Sequence, residues 1–232
     1  MLKNTRSLRE KLASVLFSNL TIVDSDYLNI LQRGLDKLEI EYQSSQLEKT
    51  KIYLGLLKKW NQKYNLVADS DIDVLVEKHV LDSLLIFNFV NLKQTLDIGT
   101  GAGFPGIPLA IFKPHQKFTL LDSNGKKTRF LFQVKTKLDL NNVVIENCRI
   151  ENYQSPYRID MVTCRAFGSL EDIVIKSQHL LSQECKLLAM KGKFPDEEIS
   201  RLPEEFIVLD SVKLPVPGES SERHLIQVGR KK

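Results

Sequence analysis

The sequence contains few cysteines and no long apolar run. Cys148, Cys164 and Cys185 are its only cysteines in 232 residues, and no two of them form a C-x-x-C pair. This spacing predicts reduced thiols rather than a disulfide framework or a redox motif. No segment approaches the roughly 20 consecutive apolar residues that cross a bilayer, and the N-terminal residues lack a continuous signal-peptide core. We therefore expect a cytoplasmic protein without a membrane span.

The sequence also lacks the residue spacing of a metal site. Its four histidines show none of the patterns typical of zinc ligands, such as H-E-x-x-H. They are His79, His115, His179 and His224. We therefore predict no bound metal.

Positive charge is modest overall but concentrated in one segment. The formal net charge is +4, yet residues 113–137 include seven basic residues, with Asp122 among them and Asp139 just beyond. The seven are Lys113, Lys117, Lys126, Lys127, Arg129, Lys135 and Lys137. Such a cluster suits the phosphates of a nucleic acid. A solvated helix face explains the charge equally well.

Hydropathy periodicity divides the chain into two parts. Residues 1–93 show helical spacing, with apolar stripes over 53–64 and 72–87, and Asp71 or Ser70 can cap the second stripe. From residue 94, short apolar runs alternate with helical segments, which is typical of βα units. We predict a helical extension over 1–93 and an α/β domain over 94–232. The stripe residues that we expect in the core include Trp60, Tyr64, His79 and Ser83.

The pattern after residue 93 predicts a Rossmann-like sheet. Strands are expected near 94–98, 117–121, 142–146, 159–163 and 185–190. Helices are expected near 106–112, 124–138 and 170–180. The runs "EEFIVLDSVKL" and "ERHLIQVGR" alternate in hydropathy around the turn-rich "PVPGESS", which predicts a closing antiparallel pair. Five parallel strands followed by such a pair form the seven-stranded fold of S-adenosylmethionine (SAM)-dependent methyltransferases.

The segment "LDIGTGAGFPGIPLA" after the first strand fits two cofactor-binding patterns. Gly101, Gly103 and Gly106 form G-x-G-x-x-G, the dinucleotide fingerprint. Gly99, Gly101 and Gly103 form G-x-G-x-G beside Asp97, the pattern of a SAM-binding loop. Asp97 either orients this loop or serves as a structural cap.

Two features favour SAM over a dinucleotide. Pro105 and Pro108 lie in the first turn of the next helix and remove two amide donors that a pyrophosphate would use. About 130 residues follow the glycines and end in a hairpin, whereas a dehydrogenase normally needs a second half-fold. Asp122, at the end of the second strand, is suited to bind the ribose hydroxyls of either cofactor.

Seven ordered segments carry a resemblance to a known family over roughly residues 50 to 230. They are "WNQKYNLV", "HVLDSLLI", "LDIGTGAGFPGIPLAI", "FTLLDSNGKKTRFL", "CRAF", "MKGK" and "GESSERHLI". The chain thereby resembles the glucose-inhibited division protein B (GidB) family, the ribosomal RNA small-subunit methyltransferase G (RsmG) family. The resemblance implies a SAM-dependent enzyme that methylates N7 of a guanine in the decoding-region loop of 16S ribosomal RNA. The small ribosomal subunit is then its partner, and nothing demands more than a monomer.

Candidate site residues follow from the resemblance and from the residues themselves. The resemblance implies cofactor contacts at Gly99, Phe104, Ile150 and Glu151, with Arg165 at the pocket. The glycine pattern and the strand-end acid add Gly101, Gly103 and Asp122. The basic residues that we expect to contact RNA or support the pocket are Lys126, Lys127, Arg129, Lys191, Arg223 and His224. For Lys191, a solvated loop explains the residue equally well.

No catalytic base is expected. The N7 lone pair of guanine is unprotonated at neutral pH, and the sequence lacks both the N-P-P-Y motif used on exocyclic amines and a Pro-Cys nucleophile. Two other functions stay open at this point. One is a NAD-dependent oxidoreductase, and the other is a non-catalytic RNA- or nucleotide-binding module.

Overall fold

A mixed β-sheet organises the protein. The computed structural model describes residues 26–216 and 222–231, and its seven strands lie in the order β3-β2-β1-β4-β5-β7-β6. They are β1 (Gln94–Ile98), β2 (Lys117–Leu121), β3 (Val143–Glu146), β4 (Met161–Arg165), β5 (Lys186–Lys191), β6 (Phe206–Leu214) and β7 (Arg223–Arg230). Strands β1 to β5 pair in parallel, whereas β7 runs antiparallel to β5 and β6. The predicted fold class and closing antiparallel pair are confirmed.

Helices precede the sheet and connect its strands. They are α1 (Asp26–Lys37), α2 (Ser44–Tyr64), α3 (Ile72–Leu75), α4 (Asp82–Leu84), α5 (Gly106–Phe112), α6 (Gly125–Leu138), α7 (Leu170–Ser177) and α8 (Asp196–Ser200). A π-helix, Val76–Leu81, joins α3 to α4, and a 3₁₀ turn, Ile150–Asn152, follows β3. Within residues 26–216 and 222–231, no helix is both long and apolar enough to cross a bilayer.

Two apolar clusters occupy the two faces of the sheet. The first contains Leu120 of β2 together with buried side chains from α1, α2, α5 and α6. The second contains the next residue, Leu121, together with side chains from β4, β5, β7 and α7. Neighbouring strand residues point to opposite faces, so the N-terminal helices share one face with α5 and α6. On that face the Tyr53 hydroxyl donates to the Ala102 carbonyl at 2.8 Å.

Several predicted boundaries move by one to three residues. β4 starts at Met161 rather than 159, and the Asp160 carboxylate just before it accepts from the Gln94 amide. α7 ends at Ser177 rather than 180, where the Leu180 amide closes a tight turn on the Ser177 carbonyl at 2.8 Å. β1, α5 and β2 have the predicted bounds.

The second N-terminal stripe is not the regular helix that its periodicity predicts. Asp71 caps its start, because the Asp71 side chain accepts from the Asp73 amide. The helix then widens into the π-helix Val76–Leu81 and ends at Leu84. A π segment inserts an extra residue per turn and rotates the side chains that follow it. The side chains that follow the segment therefore depart from a regular helical stripe.

Candidate active site

The glycine-rich loop between β1 and α5 is left-handed at three positions. The backbone angle φ is +63° at Gly99, +62° at Gly101 and +104° at Gly103. Only glycine adopts such angles without strain, so the G-x-G-x-G pattern matches the turn. Gly106 has another role, because a Cβ there would lie 2.1 Å from Leu120 Cδ2. Its missing side chain lets α5 approach β2 closely.

The amides at the start of α5 are already engaged. The Gly106 amide donates to Asp97 Oδ2 at 2.9 Å, and the Ile107 amide donates to a loop carbonyl at 2.7 Å. Pro105 and Pro108 have no amide hydrogen. Residues 105–109 of the described chain therefore offer no free amide to a pyrophosphate, which favours the SAM pattern over the dinucleotide pattern.

Asp97 anchors this loop from β1. Its Oδ2 accepts from Thr100 Oγ1 at 2.6 Å as well as from the Gly106 amide. Burial raises the pKa of Asp97 to about 7, against hydrogen bonds from Thr100 and Gly106 that lower it. These contacts fit both roles left open by the sequence, because Thr100 lies in the loop and Gly106 is the first residue of α5.

A first cavity of about 330 Å³ opens beside the loop. Four of the predicted cofactor-binding residues line it, namely Gly99, Asp122, Ile150 and Glu151. Asp122 Oδ2 accepts from the Gly101 amide at 2.9 Å, and its Oδ1 accepts from the Asn124 amide at 2.8 Å. Asp122 thereby ties the glycine loop to the end of β2 while its carboxylate borders the cavity.

A second cavity of about 420 Å³ adjoins the first. Its lining includes Asp69, His79, Arg165, Lys191 and Arg223. The first three belong to the helical extension or to the end of β4, and the last two lie on β5 and β7. This cavity is therefore bordered by several basic groups and by residues from both parts of the chain.

The two cavities share the wall formed by Ala166 and Phe167. Ala166 has a left-handed φ of +53°, which is a strained conformation for a residue with a side chain and is frequent at functional sites. The Phe167 ring rests on the glycine turn, because a Cβ on Gly99 would lie 2.1 Å from Phe167 Cδ2. The two cavities thus adjoin at Ala166 and Phe167.

Arg165 is the centre of a polar network in the second cavity. Its Nη1 donates to Asp82 Oδ2 at 2.7 Å, and its Nη2 lies 3.0 Å from His79 Nδ1. Burial, followed by the Arg165 charge, lowers the pKa of His79. A neutral His79 accepts this hydrogen bond through Nδ1, so its proton lies on Nε2, 3.4 Å from Asp69 Oδ2.

The remaining predicted cofactor residues are not part of the lining of the first cavity. Gly101 and Gly103 are in the loop, and Phe104 is buried with its ring stacked against His79 at 5.0 Å. The Arg165 guanidinium lies 5.1 Å from the Phe104 ring. Arg165 lines the second cavity rather than the first.

The predicted RNA-contacting residues fall into two groups. Lys126 and Arg129 are exposed on α6, where they are free to meet a phosphate backbone. Lys191 is held at 2.6 Å both by the Gly168 carbonyl and by Glu198. Three others are also engaged: Lys127 lies 3.8 Å from Asp122, Arg223 is bonded to Asp82, and His224 is buried against Phe194 and 3.3 Å from the Gly192 carbonyl. The burial of His224 favours pocket support over direct RNA contact.

Sequence reasoning missed three residues of the second cavity. Asp82 and Asp69 were not singled out, and His79 was expected in the core, whereas its ring borders the cavity. The sequence offers one signal for this cluster, the segment "HVLDS", which contains His79 and Asp82. The arginines that bind Asp82 are distant in the sequence. The expected core role is confirmed for Ser83, which is buried, and Trp60 and Tyr64 pack partly buried against the first cluster.

The cysteines have no features of nucleophiles. Cys164 and Cys185 are buried, and burial raises the pKa of each thiol to about 12. Cys148 is partly buried, and burial also raises its pKa. These thiols are protonated at neutral pH and therefore lack the thiolate character of catalytic cysteines.

Comparison with known proteins decides between the two cofactor patterns. The profile of the family described as rRNA small subunit methyltransferase G (GidB) matches residues 46–226. The chain belongs to the rRNA small subunit methyltransferase G family. Proteins of that name from Nitrosococcus oceani and Stutzerimonas stutzeri are each 45% identical to it. The alignments cover 89% and 91% of this chain and 96% and 99% of the relatives.

Members of the rRNA small subunit methyltransferase G family are methyltransferases, and the methyl donor of this chain is SAM. Solved structures with a similar fold include the ribosomal protein L11 methylase of Lactobacillus delbrueckii subsp. bulgaricus, with a TM-score of 0.51 and 10% identity over 67% of this chain and 79% of that one. A SAM-dependent methyltransferase from Aquifex aeolicus has a TM-score of 0.50 and 16% identity over 67% and 92% of the two chains. At these identities the likeness concerns the fold alone.

Proposed function

We propose that this member of the family methylates N7 of a guanine in the decoding-region loop of 16S ribosomal RNA. The observation that carries the proposal is the pair of adjoining cavities at the Ala166–Phe167 wall. The first cavity is bordered by the glycine loop and by both acidic and basic side chains, and the second by Arg165, Arg223 and their partner carboxylate Asp82. A methyl donor in the first and a flipped-out purine in the second would come into direct contact where the two cavities adjoin, beside Ala166 and Phe167. The names of the curated relatives support an rRNA substrate.

The first cavity suits the nucleoside part of SAM. The carboxylates of Asp122 and Glu151 can accept hydrogen bonds from ribose hydroxyls and from the adenine amino group, respectively. The apolar side chain of Ile150 can pack against the adenine ring. The turn at Gly99 allows close backbone approach by the methionine part. With no free amide in the first turn of α5, the loop suits a ligand without phosphate.

Transfer to N7 requires alignment rather than proton removal. When bound, SAM supplies an electrophilic methyl carbon, on which the N7 lone pair forms the new bond while the C–S pair returns to sulfur. The residues of this chain then need to orient the purine and exclude water. Correct orientation can lower a barrier by about 7–11 kcal/mol in favourable cases.

The carboxylate nearest to Arg165 is a poor general base. Asp82 accepts hydrogen bonds from two arginines at 2.7 Å each, so both of its oxygens are already engaged. This arrangement agrees with in-line transfer to a nucleophile that is already unprotonated.

Basic residues supply the contacts to RNA. Lys126 and Arg129 on α6 are exposed and can neutralise phosphates outside the two cavities. Arg165 and Arg223 border the second cavity, where they can hold the phosphates that flank a flipped nucleotide. The partner is thus the small-subunit RNA, free or within the ribosomal particle.

The test is methyl transfer from labelled SAM to purified small ribosomal subunits and to naked 16S ribosomal RNA. We expect label in the RNA and 7-methylguanosine as the labelled nucleoside after complete digestion. Label in another nucleoside would refute the N7 assignment. No label in either substrate would refute the proposed function and favour a non-catalytic RNA-binding module.

A further inference from the structure

The carboxylate of Asp82 joins two arginines that border the second cavity. We propose that Asp82 is a positioning residue for methyl transfer, which fixes Arg165 and Arg223 and offsets part of their charge. The inference rests on the proposed function, because it concerns the cavity assigned above to the acceptor purine.

Asp82 divides its two oxygens between the two arginines. Its Oδ2 accepts from Arg165 Nη1 and its Oδ1 accepts from Arg223 Nε, both at 2.7 Å. Only 3% of the Asp82 side chain is exposed. A single buried carboxylate on α4 therefore links the end of β4 to the start of β7.

The other contacts of the arginines leave their orientation dependent on Asp82. Arg165 also donates to the Lys78 carbonyl at 3.2 Å and approaches His79 at 3.0 Å. Arg223 Nη1 donates to the carbonyl of its neighbour Glu222 at 2.9 Å. These partners are neutral, so within residues 26–216 and 222–231 Asp82 is the charged group that both guanidinium groups contact. Without the Asp82 carboxylate, the two guanidinium groups would repel each other, and their side chains would turn toward solvent.

The sheet does not need Asp82 for its integrity. β4 and β7 are both paired with β5 by ladder hydrogen bonds. The side chains of Arg165 and Arg223 keep 16% and 26% of their surface exposed, so water can solvate them if the carboxylate is removed. Removal of the Asp82 charge should therefore change the orientation of the arginines more than the stability of the fold.

The charge of Asp82 also matches the chemistry proposed for the cavity. Positive charge passes from sulfur to the purine ring during transfer, so two uncompensated arginines beside the ring would oppose the reaction. Asp82 reduces their combined charge from +2 to +1, which leaves one positive charge to hold a phosphate. Fixed charges placed beside developing charge are an effective way to stabilise a transition state.

The carboxylate of Asp82 lies directly after the π-helix of the N-terminal extension. Asp82 follows Val76–Leu81, and His79 lies within that π segment. Both side chains contact Arg165. π segments are frequent at functional sites, and this one lies where two polar groups of the extension meet one arginine.

The test compares Asp82→Asn with Glu77→Gln, a matched carboxylate-to-amide change on the exposed side of the same helical segment. Steady-state methyl transfer to small ribosomal subunits gives kcat and KM, titration calorimetry gives the SAM dissociation constant, and thermal unfolding gives the midpoint. For Asp82→Asn we expect kcat to fall about tenfold or more, with KM changed by less than about threefold. SAM affinity and the unfolding midpoint should stay close to those of Glu77→Gln. Asp82→Glu restores a carboxylate and should recover part of the rate.

Three results would overturn the positioning role. One is a kcat for Asp82→Asn within about twofold of wild type. Another is an Asp82→Asn variant that loses both SAM affinity and thermal stability, or that fails to fold. Either outcome would show that the role of Asp82 is structural. The third is an Asp82→Glu variant no more active than Asp82→Asn. If the wild-type protein transfers no methyl group to 16S ribosomal RNA, the proposed function fails and this inference fails with it, whereas the first three results leave the proposed function intact.

Discussion

At the scale of single residues, Asp122 connects the glycine loop to the first cavity. Its two oxygens already bind the amides of Gly101 and Asn124, yet each carboxylate oxygen can accept a further hydrogen bond. The residue can therefore shape the loop and contact a ribose at the same time. The loop anchoring and the ribose contact both increase the affinity for the cofactor.

We predict that Asp122→Ala weakens SAM binding by about tenfold or more, equivalent to about 1.4 kcal/mol. The ribose hydroxyls lose an acceptor and the loop loses an anchor. Titration calorimetry measures the change, with Asp36→Ala on the exposed side of α1 as the control for loss of a carboxylate. Unchanged SAM affinity in Asp122→Ala would show that the ribose assignment is wrong.

Asp97 makes the stability of the protein depend on pH. Its folded-state pKa of about 7 lies above the ordinary carboxyl value of 3.8, so the unfolded chain loses this proton first as pH rises. The stabilising contribution of the protonated group is therefore complete at low pH and is lost as pH rises through the folded pKa.

For Asp97→Asn, whose side chain cannot ionise, we predict that the thermal unfolding midpoint rises relative to that of wild type as pH rises. The variant loses some loop hydrogen bonds at every pH, but the difference between its unfolding midpoint and that of wild type should shift in its favour from about pH 5 to about pH 8. Thermal unfolding across this range measures the difference. A difference that is constant with pH would contradict the raised pKa.

At the scale of elements, the close approach of α5 to β2 depends on a missing side chain. A Cβ at Gly106 would lie 2.1 Å from Leu120 Cδ2 and 2.7 Å from Asp97 Oδ2. At Gly55, within α2, a Cβ would meet nothing within 4 Å. These two glycines therefore form a matched pair in which the same substitution has opposite effects.

We predict that Gly106→Ala destabilises the fold by about 1–3 kcal/mol through overpacking. Gly55→Ala should stabilise it by about 0.5–1 kcal/mol, because alanine is the better helix former. Chemical denaturation of both variants gives the two free energies of unfolding. Equal effects of the two substitutions would show that α5 does not press on β2 as described.

Helix α6 presents Lys126 and Arg129 to solvent next to the first cavity. We predict that alanine at either position weakens binding to 16S ribosomal RNA and lowers the slope of log affinity against log salt by about 0.7–0.9 for each phosphate that is no longer neutralised. Filter binding over a range of salt concentrations measures both quantities. Lys58→Ala or Lys59→Ala, which remove exposed charge from α2, should leave the slope unchanged. An equal effect from α2 would argue that the RNA interaction is only non-specific.

Elements with local signals were predicted well, whereas those set by distant contacts were not. β1, α5 and β2 carry their own apolar runs and a glycine loop, and their observed bounds equal the predicted ones. The π-helix was missed, because a hydropathy stripe of helical period does not reveal one inserted residue. Asp82 was missed for a related reason, since its partners Arg165 and Arg223 are 83 and 141 residues away.

At the scale of the whole molecule, the N-terminal helices do more than cover the sheet. They contribute Asp69, His79 and Asp82 to the second cavity, while the sheet contributes Arg165 and Arg223. The sequence predicted a helical extension and a separate cofactor-binding part, but not that both border one cavity. That relation depends on tertiary packing, for which periodicity carries no signal. The described part of the extension and the sheet together form the proposed acceptor site.

The central claim is that SAM occupies the first cavity with its methyl group directed at the second. The most direct measurement is a crystal structure of the protein grown with SAM. We predict the ribose within hydrogen-bond distance of Asp122, the adenine beside Ile150, and the methyl carbon beside Ala166 and Phe167 with an open path to the second cavity. SAM bound in the second cavity, or a glycine loop left empty at saturating SAM, would contradict the account.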